Sequence, residues 1–396
     1  MRTHRAMIVC AVVVFTGCTT LPETGIPRAD ADTIRVATFN TALSRPEPDA
    51  LARALADGED ENIKLVAETL QRTRPDIVLL QEFDYDPTGQ AYDGFQRNYL
   101  DQPQNGAEPI DYPYRYAPSV NTGQPSGVDL DNDGRVEGPG DALGWGNYPG
   151  HYGMVVLSKY PIRDKQARTF RALRWQDYAP NHLDQIGLYS DKAREVLRLS
   201  SKTHADLVVE VNGEPLHLLI SHPSPPVFDG PEDRNGYRNA DEIMLWFAYL
   251  TPTNRDAVLT DDQGRTGPLD GDARFVLLGD LNADPFDGES RDRVMARLLS
   301  HPRINTALTP GSEGAADAAR SQGGANLKHA GNARYDTTDW DDGENGPGNL
   351  RVDYALPSDN LRLIDAGVFW PVSGGALHHL NGASDHRLVW VDITFD

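Results

Sequence analysis

Hydrophobic and polar positions along this chain switch repeatedly between a period of two and a period near 3.6. The run "TIRVATF" from Thr33 to Phe39 alternates and is rich in β-branched residues, which predicts a strand ending at Asn40. In "ENIKLVAETLQRTR" the apolar Ile63, Val66 and Leu70 recur among charged residues, so an amphipathic helix is expected, closed by Pro75 ahead of the buried strand "DIVLL". "GMVVLSKYPI" reads as a strand ended by a turn. In "ADLVVEVNGEPLHLLISH" two strands flank Asn212-Gly213, a dipeptide suited to the two positive φ angles of a tight hairpin turn, so part of the sheet is antiparallel. "YRNADEIMLWFAYL" predicts a helix that buries Ile243, Leu245, Trp246 and Leu250, "RFVLLGD" a core strand, and "RDRVMARLLS" another helix. Strands "RVDYAL", "LRLIDAGVFW" and "RLVWVDITF" finish the chain.

Two stretches keep no period. Residues 84–150, rich in Gly, Pro, Asp and Asn, are too many for a neutral connector in a compact domain and are expected to cover a cleft. Gly311 to Gly348 reads as loop. No repeat of solenoid-like length occurs. Hairpins mixed with helical crossovers imply an α/β domain built on mixed sheets covered by helices, and two packed sheets suit the number of strands.

The N-terminus changes the picture of where such a domain works. "MRTHRAMIVCAVVVFTGC" has a basic start at Arg2 and Arg5, an apolar run from Ala6 to Phe15 too short to span a bilayer, and small residues before Cys18. The expected organisation is a signal peptide over 1–17, a short tether over 18–32 and one domain over 33–396. "FTGC" resembles a bacterial lipoprotein processing site, which would make Cys18 the lipidated residue; an ordinary secretory signal cut nearby is the alternative. Either way the protein is exported, to the cell envelope or beyond. Cys10 lies in the removed segment, so the mature chain forms no internal disulfide.

At 39% hydrophobic and 24% charged residues the chain can bury a real core. Its formal charge of −22 becomes about −24 once Arg2 and Arg5 leave with the signal. Such an acidic chain repels polyphosphate backbones and attracts divalent cations, which argues against tight nonspecific binding of nucleic acid.

Chemistry gathers at the strand ends. Asn40, Glu82, His222, Asp280, Asn282, Asp353, Asp385 and His386 each follow or interrupt a hydrophobic run, and strand ends are where loops pool polar groups into a cleft. Single fragments are weak: "GDLN" could be a simple turn, "SDH" a loop cap, and Asp353 an ion-pair partner of Arg351. His204 could join a phosphate-binding wall or be a structural histidine, His217 lies in a strand and reads as packing, and His378 and His379 are rim or surface residues.

Taken in order, "TFN", "LLQE", "GMVVLSKYPI", "ISH", "GDLNADP", "RVDY" and "SDHRLV" resemble the endonuclease/exonuclease/phosphatase superfamily from about Thr33 to the C-terminus. The resemblance implies a four-layer α/β/β/α sandwich and a metal-dependent phosphoesterase. By the same resemblance Glu82, with Asn40 and Asp385, is a metal ligand; Asp280 orients or deprotonates the attacking water; Asn282 donates to a phosphoryl oxygen. His386, its ring fixed by Asp353, contacts the phosphate, and His222 lies near it. Oxygen donors without a thiol favour Mg²⁺ or Mn²⁺. Independently of any family, displacing an alkoxide from phosphorus builds negative charge on oxygen, which calls for a cation, hydrogen-bond donors and a positioned base.

The expected substrate is a small phosphorylated molecule or a lipid headgroup, cleaved as a phosphodiester or a phosphomonoester. An extracellular nuclease is the alternative, and a lipid-anchored binding protein without catalysis the third reading. Arg234 and Arg238 are candidates to receive a substrate phosphate, or surface partners of Glu232 and Asp233. In "DLDNDG", Asp129, Asp131, Asp133 and Gly134 match the first half of a calcium loop, but position twelve is Gly140 and Pro125 and Pro139 discourage flanking helices. A lone structural Ca²⁺ clip and a solvated acidic turn are both consistent with that.

Overall fold

The computed structural model describes residues 26–28, 32–252 and 259–395. The expected signal peptide, Cys18 and most of the tether lie outside them. In chain order the strands are β1 (Ile34–Asn40), β2 (Ile77–Gln81), β3 (Tyr114–Tyr116), β4 (Met154–Ser158), β5 (Arg168–Thr169), β6 (His204–Val211), β7 (Glu214–Ser221), β8 (Phe275–Asp280), β9 (Asp353–Pro357), β10 (Arg362–Phe369) and β11 (Leu388–Thr394). The helices are α1 (Ala50–Asp57), α2 (Glu61–Thr73), α3 (Gln90–Phe95), α4 (Leu183–Ile186), α5 (Asp191–Val196), α6 (Arg234–Leu250), α7 (Val294–Leu299) and α8 (Glu313–Gln322).

The strands form two mixed sheets, of six strands in the order β10-β11-β1-β2-β4-β3 and of five in the order β5-β6-β7-β8-β9. Period-two alternation sends each strand's residues to two different cores. From the first sheet, Ile34, Val36, Ile77 and Leu79 meet Leu218, Ile220, Val276 and Leu278 of the second between the sheets. Their neighbours Phe39, Val78 and Leu80 face outward onto α1 and α2, while Leu219 and Leu277 of the second sheet pack against Ile243 and Trp246 of α6. Three apolar layers between four structural ones make the α/β/β/α sandwich.

The hairpin at Asn212-Gly213 has φ of 54° and 88°, and β6 pairs with β7 from His204 opposite Ser221 to Val211 opposite Glu214. Across the first sheet, Arg35 on β1 is fully buried, bonded to Asp392 of β11 by Nε and Nη2 at 2.8 Å each, with further bonds to the carbonyls of Thr73 and Ile26.

Some elements differ from the sequence reading. The helix expected from Arg291 starts at Val294, because Asp292 and Arg293 hold φ of 53° and 51°, which cannot begin a right-handed helix. Within the supposed loop 311–348, the alanine-rich Glu313–Gln322 is helical and capped by the Ser312 hydroxyl on the Ala315 amide. Residues 84–150 divide: α3 and the π turn Gln96–Leu100 pack outside the first sheet with α1 and α2, and only the later part reaches the cleft.

Candidate active site

The inner-face rows of four strands run on into the site. Thr38 leads to Asn40, Leu278 to Asp280, Ile220 to His222, and Asp353 precedes Ala355, so a period of two sends all four side chains toward the gap between the sheets. Glu82 breaks this rule. It would continue the outer row of Val78 and Leu80, but a left-handed φ of 53° turns the chain and puts Glu82 in the cavity wall.

The Asn40 amide is the junction. Its Nδ2 lies 3.2 Å from Glu82 Oε1, 3.0 Å from Asp280 Oδ2 and 3.4 Å from His386 Nε2. The Oδ1 of Asn40 accepts from the Ala42 amide at 3.2 Å, which fixes the side chain so that its NH₂ ties the two carboxylates together. Asp280 Oδ2 also meets His222 Nε2 at 3.3 Å, and its Oδ1 accepts from the Asn282 amide at 2.9 Å. On the other side, His386 Nδ1 is 2.9 Å from Asp353 Oδ2, which also accepts from the Thr337 hydroxyl at 2.7 Å. Strand pairing puts Asp353 directly opposite Asp280. Asp280, Asp353 and His386 bring ligand atoms within 4.8 Å of one another, a spacing that could hold a metal ion.

This geometry sets the protonation states. Burial alone would depress His386 and raise Asp280. The charges of Asp353 and Asp280 outweigh burial at His386 and lift it to about 10, while His386 and His222 hold Asp280 well below the usual carboxylate range. Asp353 is raised by burial and by the like charge of Asp280, against the pull of His386. Burial first, then the Lys202 charge, lowers His222, whose Nδ1 is buried without a partner.

Asp385 takes the Trp340 indole N–H at 3.1 Å, and Trp340 stands edge-on to the His386 ring. Asn282 holds φ of 52° and donates to the Pro223 carbonyl at 3.2 Å. Both line a cavity of about 670 Å³ together with Glu82, His222, Asp280 and His386. It is also lined by aromatic side chains: Trp145 and Tyr152 from the loop before β4, Tyr189, Phe228 after β7, and Trp340.

Of the two arginines read as phosphate contacts or surface partners, Arg238 lines the cavity while bonded to backbone. It donates to the carbonyls of Leu199, Leu143 and Arg198 at 3.0, 2.7 and 2.8 Å and lies over Trp175. Arg234 pairs with Glu232 at 2.9 Å on the cavity wall, and Asp233 pairs with Arg291. A second buried cation of the cavity is Lys202, absent from the sequence reading. Its Nζ contacts the Pro223 carbonyl at 3.5 Å, and burial lowers its pKa against the pull of Glu242, Glu82 and Asp280. Beneath it, fully buried Glu242 accepts from the Ser201 amide and hydroxyl at 2.6 and 2.9 Å and the Ser224 amide at 2.7 Å, pinning the segments that carry Lys202 and His222. The available signal was positional: Lys202 sits just before β6, across the hairpin from His222.

Three other histidines have structural partners. His204 is buried between the Ser200 hydroxyl and the Glu242 carbonyl, and burial lowers it to about 4. His217 is half-buried on Asp206 at 2.7 Å, a polar contact where packing was expected. His379 bonds Glu68 at 2.9 Å, outside the cavity lining.

Two mixed sheets packed face to face, with carboxylates, an amide and imidazoles pooled at one end between them, define an α/β protein with an acidic cleft. A sequence model of the Endonuclease/Exonuclease/phosphatase family matches residues 37–386, and the chain belongs to that family, whose members are hydrolases acting on phosphate esters. A search of curated proteins finds no match. Among solved structures the chain is similar to an endonuclease/exonuclease/phosphatase from Beutenbergia cavernae (17% identity over 91% of this chain and 71% of that one, TM-score 0.49). It is also similar to sphingomyelinase C from Streptomyces griseocarneus (16%, 91% and 99%, TM-score 0.45), and to a mannosyl-6-phosphatase from Bacteroides thetaiotaomicron (12%, 91% and 100%, TM-score 0.44).

Proposed function

We propose that this chain is a divalent-metal-dependent hydrolase of small phosphate esters, in which water attacks phosphorus between Asp280 and His386. The observation that carries this reading is the Asn40 amide donating to both Glu82 and Asp280 with His386 Nε2 only 3.4 Å away, three groups from distant parts of the chain. Cradled oxygen donors without sulfur suit a hard dication, and Glu82 and Asp385 would hold it. When bound, Mg²⁺ or Mn²⁺ supplies positive charge to the phosphoryl oxygens.

The protein groups have separable roles. Ionised Asp280, oriented by Asn40, His222 and the Asn282 amide, accepts the hydrogen bond of the attacking water and relays its proton to solvent. As the bond from phosphorus to the leaving oxygen breaks, the His386 imidazolium gives that oxygen a proton, and Asp353 holds the ring and its charge. Asn282 and Lys202 meet the non-bridging oxygens.

The substrate class follows from the walls. Trp145, Tyr152, Phe228 and Trp340 favour an ester with an apolar portion, and the net charge of −22 disfavours a polyphosphate backbone. The names of the sphingomyelinase and the mannosyl-6-phosphatase agree with lipid headgroups and small phosphomonoesters as candidates. The test is hydrolysis of bis-p-nitrophenyl phosphate, p-nitrophenyl phosphate, sphingomyelin and DNA by pure protein with Mg²⁺ or Mn²⁺ and then chelator. Turnover of a small ester that chelator abolishes is expected; preference for DNA would support a nuclease, and silence of the folded protein on every substrate would refute catalysis. Export as a Cys18-anchored lipoprotein belongs to the same proposal. Palmitate label that persists in Cys18→Ser, or is absent from the wild type, would remove the anchor.

A further inference from the structure

The wall of the cleft between Asp129 and Asp141 carries carboxylates that no step of the proposed reaction uses. Asp129, Asp131 and Asp133 bring oxygens within 4.8 Å of one another. Each spends one oxygen on a backbone amide of its own loop: Asp129 Oδ2 accepts from Gly134 at 3.0 Å, Asp131 Oδ1 from Asp133 at 3.2 Å, and Asp133 Oδ1 from Arg135 at 2.7 Å. The opposite oxygens are left over, and Asp129 Oδ1 is buried without a hydrogen-bond partner.

A fourth carboxylate comes from outside the six-residue motif. Asp141 is 3% exposed, and its Oδ1 accepts from the Leu130 amide at 2.7 Å, between the first two aspartates. That bond holds the carboxylate against the loop, and its Oδ2 is buried with no partner. The Asp131 carboxylate packs directly against Gly140, where a Cβ would stand 2.0 Å from its Oδ2. Among the described residues no lysine or arginine forms an ion pair with any of the four aspartates; Arg135 leans toward Glu137 at 3.9 Å. Asp129 Oδ1 and Asp141 Oδ2, two buried carboxylate oxygens lacking any donor and both next to Leu130, are what a cation held by the three clustered aspartates would satisfy.

We propose that Asp129, Asp131, Asp133 and Asp141 form a Ca²⁺ site that fixes one wall of the cleft. Sequence spacing ends the loop at Gly140, whereas the fold brings in the closing carboxylate one residue later and without the flanking helices of an EF-hand. All-oxygen ligands on a short irregular loop suit the larger, less exacting Ca²⁺ better than Mg²⁺. Leu130, Asp131, Pro139, Gly140 and Ala142 also line the active-site cavity, so an ion here would order the surface that the substrate meets.

The test reads binding and stability, not turnover, so it stands or falls apart from the proposed catalysis. Full-length protein stripped with chelator and held in about 5 mM Mg²⁺ is melted with and without about 1 mM Ca²⁺, and an upward shift of about 4 °C is expected. Glu82→Gln, which removes the active-site carboxylate, keeps the shift, whereas Asp131→Asn and Asp141→Asn lose it. No shift in the wild type, or a full shift in both aspartate variants, overturns the site. If those variants do not fold, digestion of the wild type with an Asp-specific endoproteinase decides: Ca²⁺ should protect the bond before Asp133, and equal cleavage with and without it refutes the proposal.

Discussion

Replacing Asp353 by Asn isolates the role of the carboxylate behind His386. The fully buried side chain uses only Oδ2, which takes the His386 ring N–H at 2.9 Å and the Thr337 hydroxyl at 2.7 Å; Oδ1 is buried with no partner. An asparagine can keep its oxygen at the first position, preserving both contacts, while its NH₂ falls where Oδ1 stands and finds no acceptor. That unsatisfied donor costs about 1–3 kcal/mol of stability. The functional loss is of another kind. Without the Asp353 charge, the main cause of the raised His386 pKa disappears and the imidazolium is no longer held for the leaving oxygen. Loss of one positioned acid–base group costs about 10²–10⁴ in rate. The assay is kcat and KM for bis-p-nitrophenyl phosphate with Mn²⁺ at neutral pH, alongside urea unfolding. A variant that stays folded within those few kcal/mol but retains kcat within about threefold of wild type would refute the pairing as the source of the acid.

Three other outcomes follow from the same contacts. Lys202→Met should raise KM about tenfold or more without lowering the melting temperature, since the buried ammonium loses hydration for one 3.5 Å contact; unchanged KM in a steady-state assay would remove it from substrate binding. Asp336 is buried beside Asp284 and Asp287 and lifted to about 8, so the folded protein keeps a proton that the unfolded chain releases, and this group's contribution falls as pH rises from about 4 to 8. Asp336→Asn should therefore melt above wild type at about pH 8 and lose most of that advantage near pH 5, and scanning calorimetry showing a pH-independent difference would contradict the assignment. Asp392→Ala strands the fully buried Arg35 and should cost about 3–5 kcal/mol in denaturant unfolding, with a loss below about 1 kcal/mol counting against a fixed pair.

Much of the frame was legible because period-two alternation is a local property. It located the strands that deliver Asn40, Asp280, His222 and Asp353, and their polar ends stood out against the hydrophobic runs before them. Harder to read was anything set by one unusual backbone angle: Glu82 enters the cleft through a left-handed turn, and α7 starts late because two residues before it are left-handed. Arg238 and Lys202 illustrate a different limit. Charge alone made the arginine attractive, and the fold ties it to three carbonyls at the cavity wall, while the lysine in an unremarkable "SSK" segment is buried in the same cavity.

By itself, then, the sequence determined which segments are strands and helices, which faces are apolar and which chemical groups stand at the strand ends, since these depend on neighbours a few positions apart. Only the tertiary structure decided which groups meet. The Asn40 junction joins side chains up to 346 positions apart, Asp141 closes onto a loop whose spacing had already ended, and the aromatic wall assembles from four separate loops. Contacts of that kind arise when two sheets pack and leave one end open, and no local period encodes the distance between them.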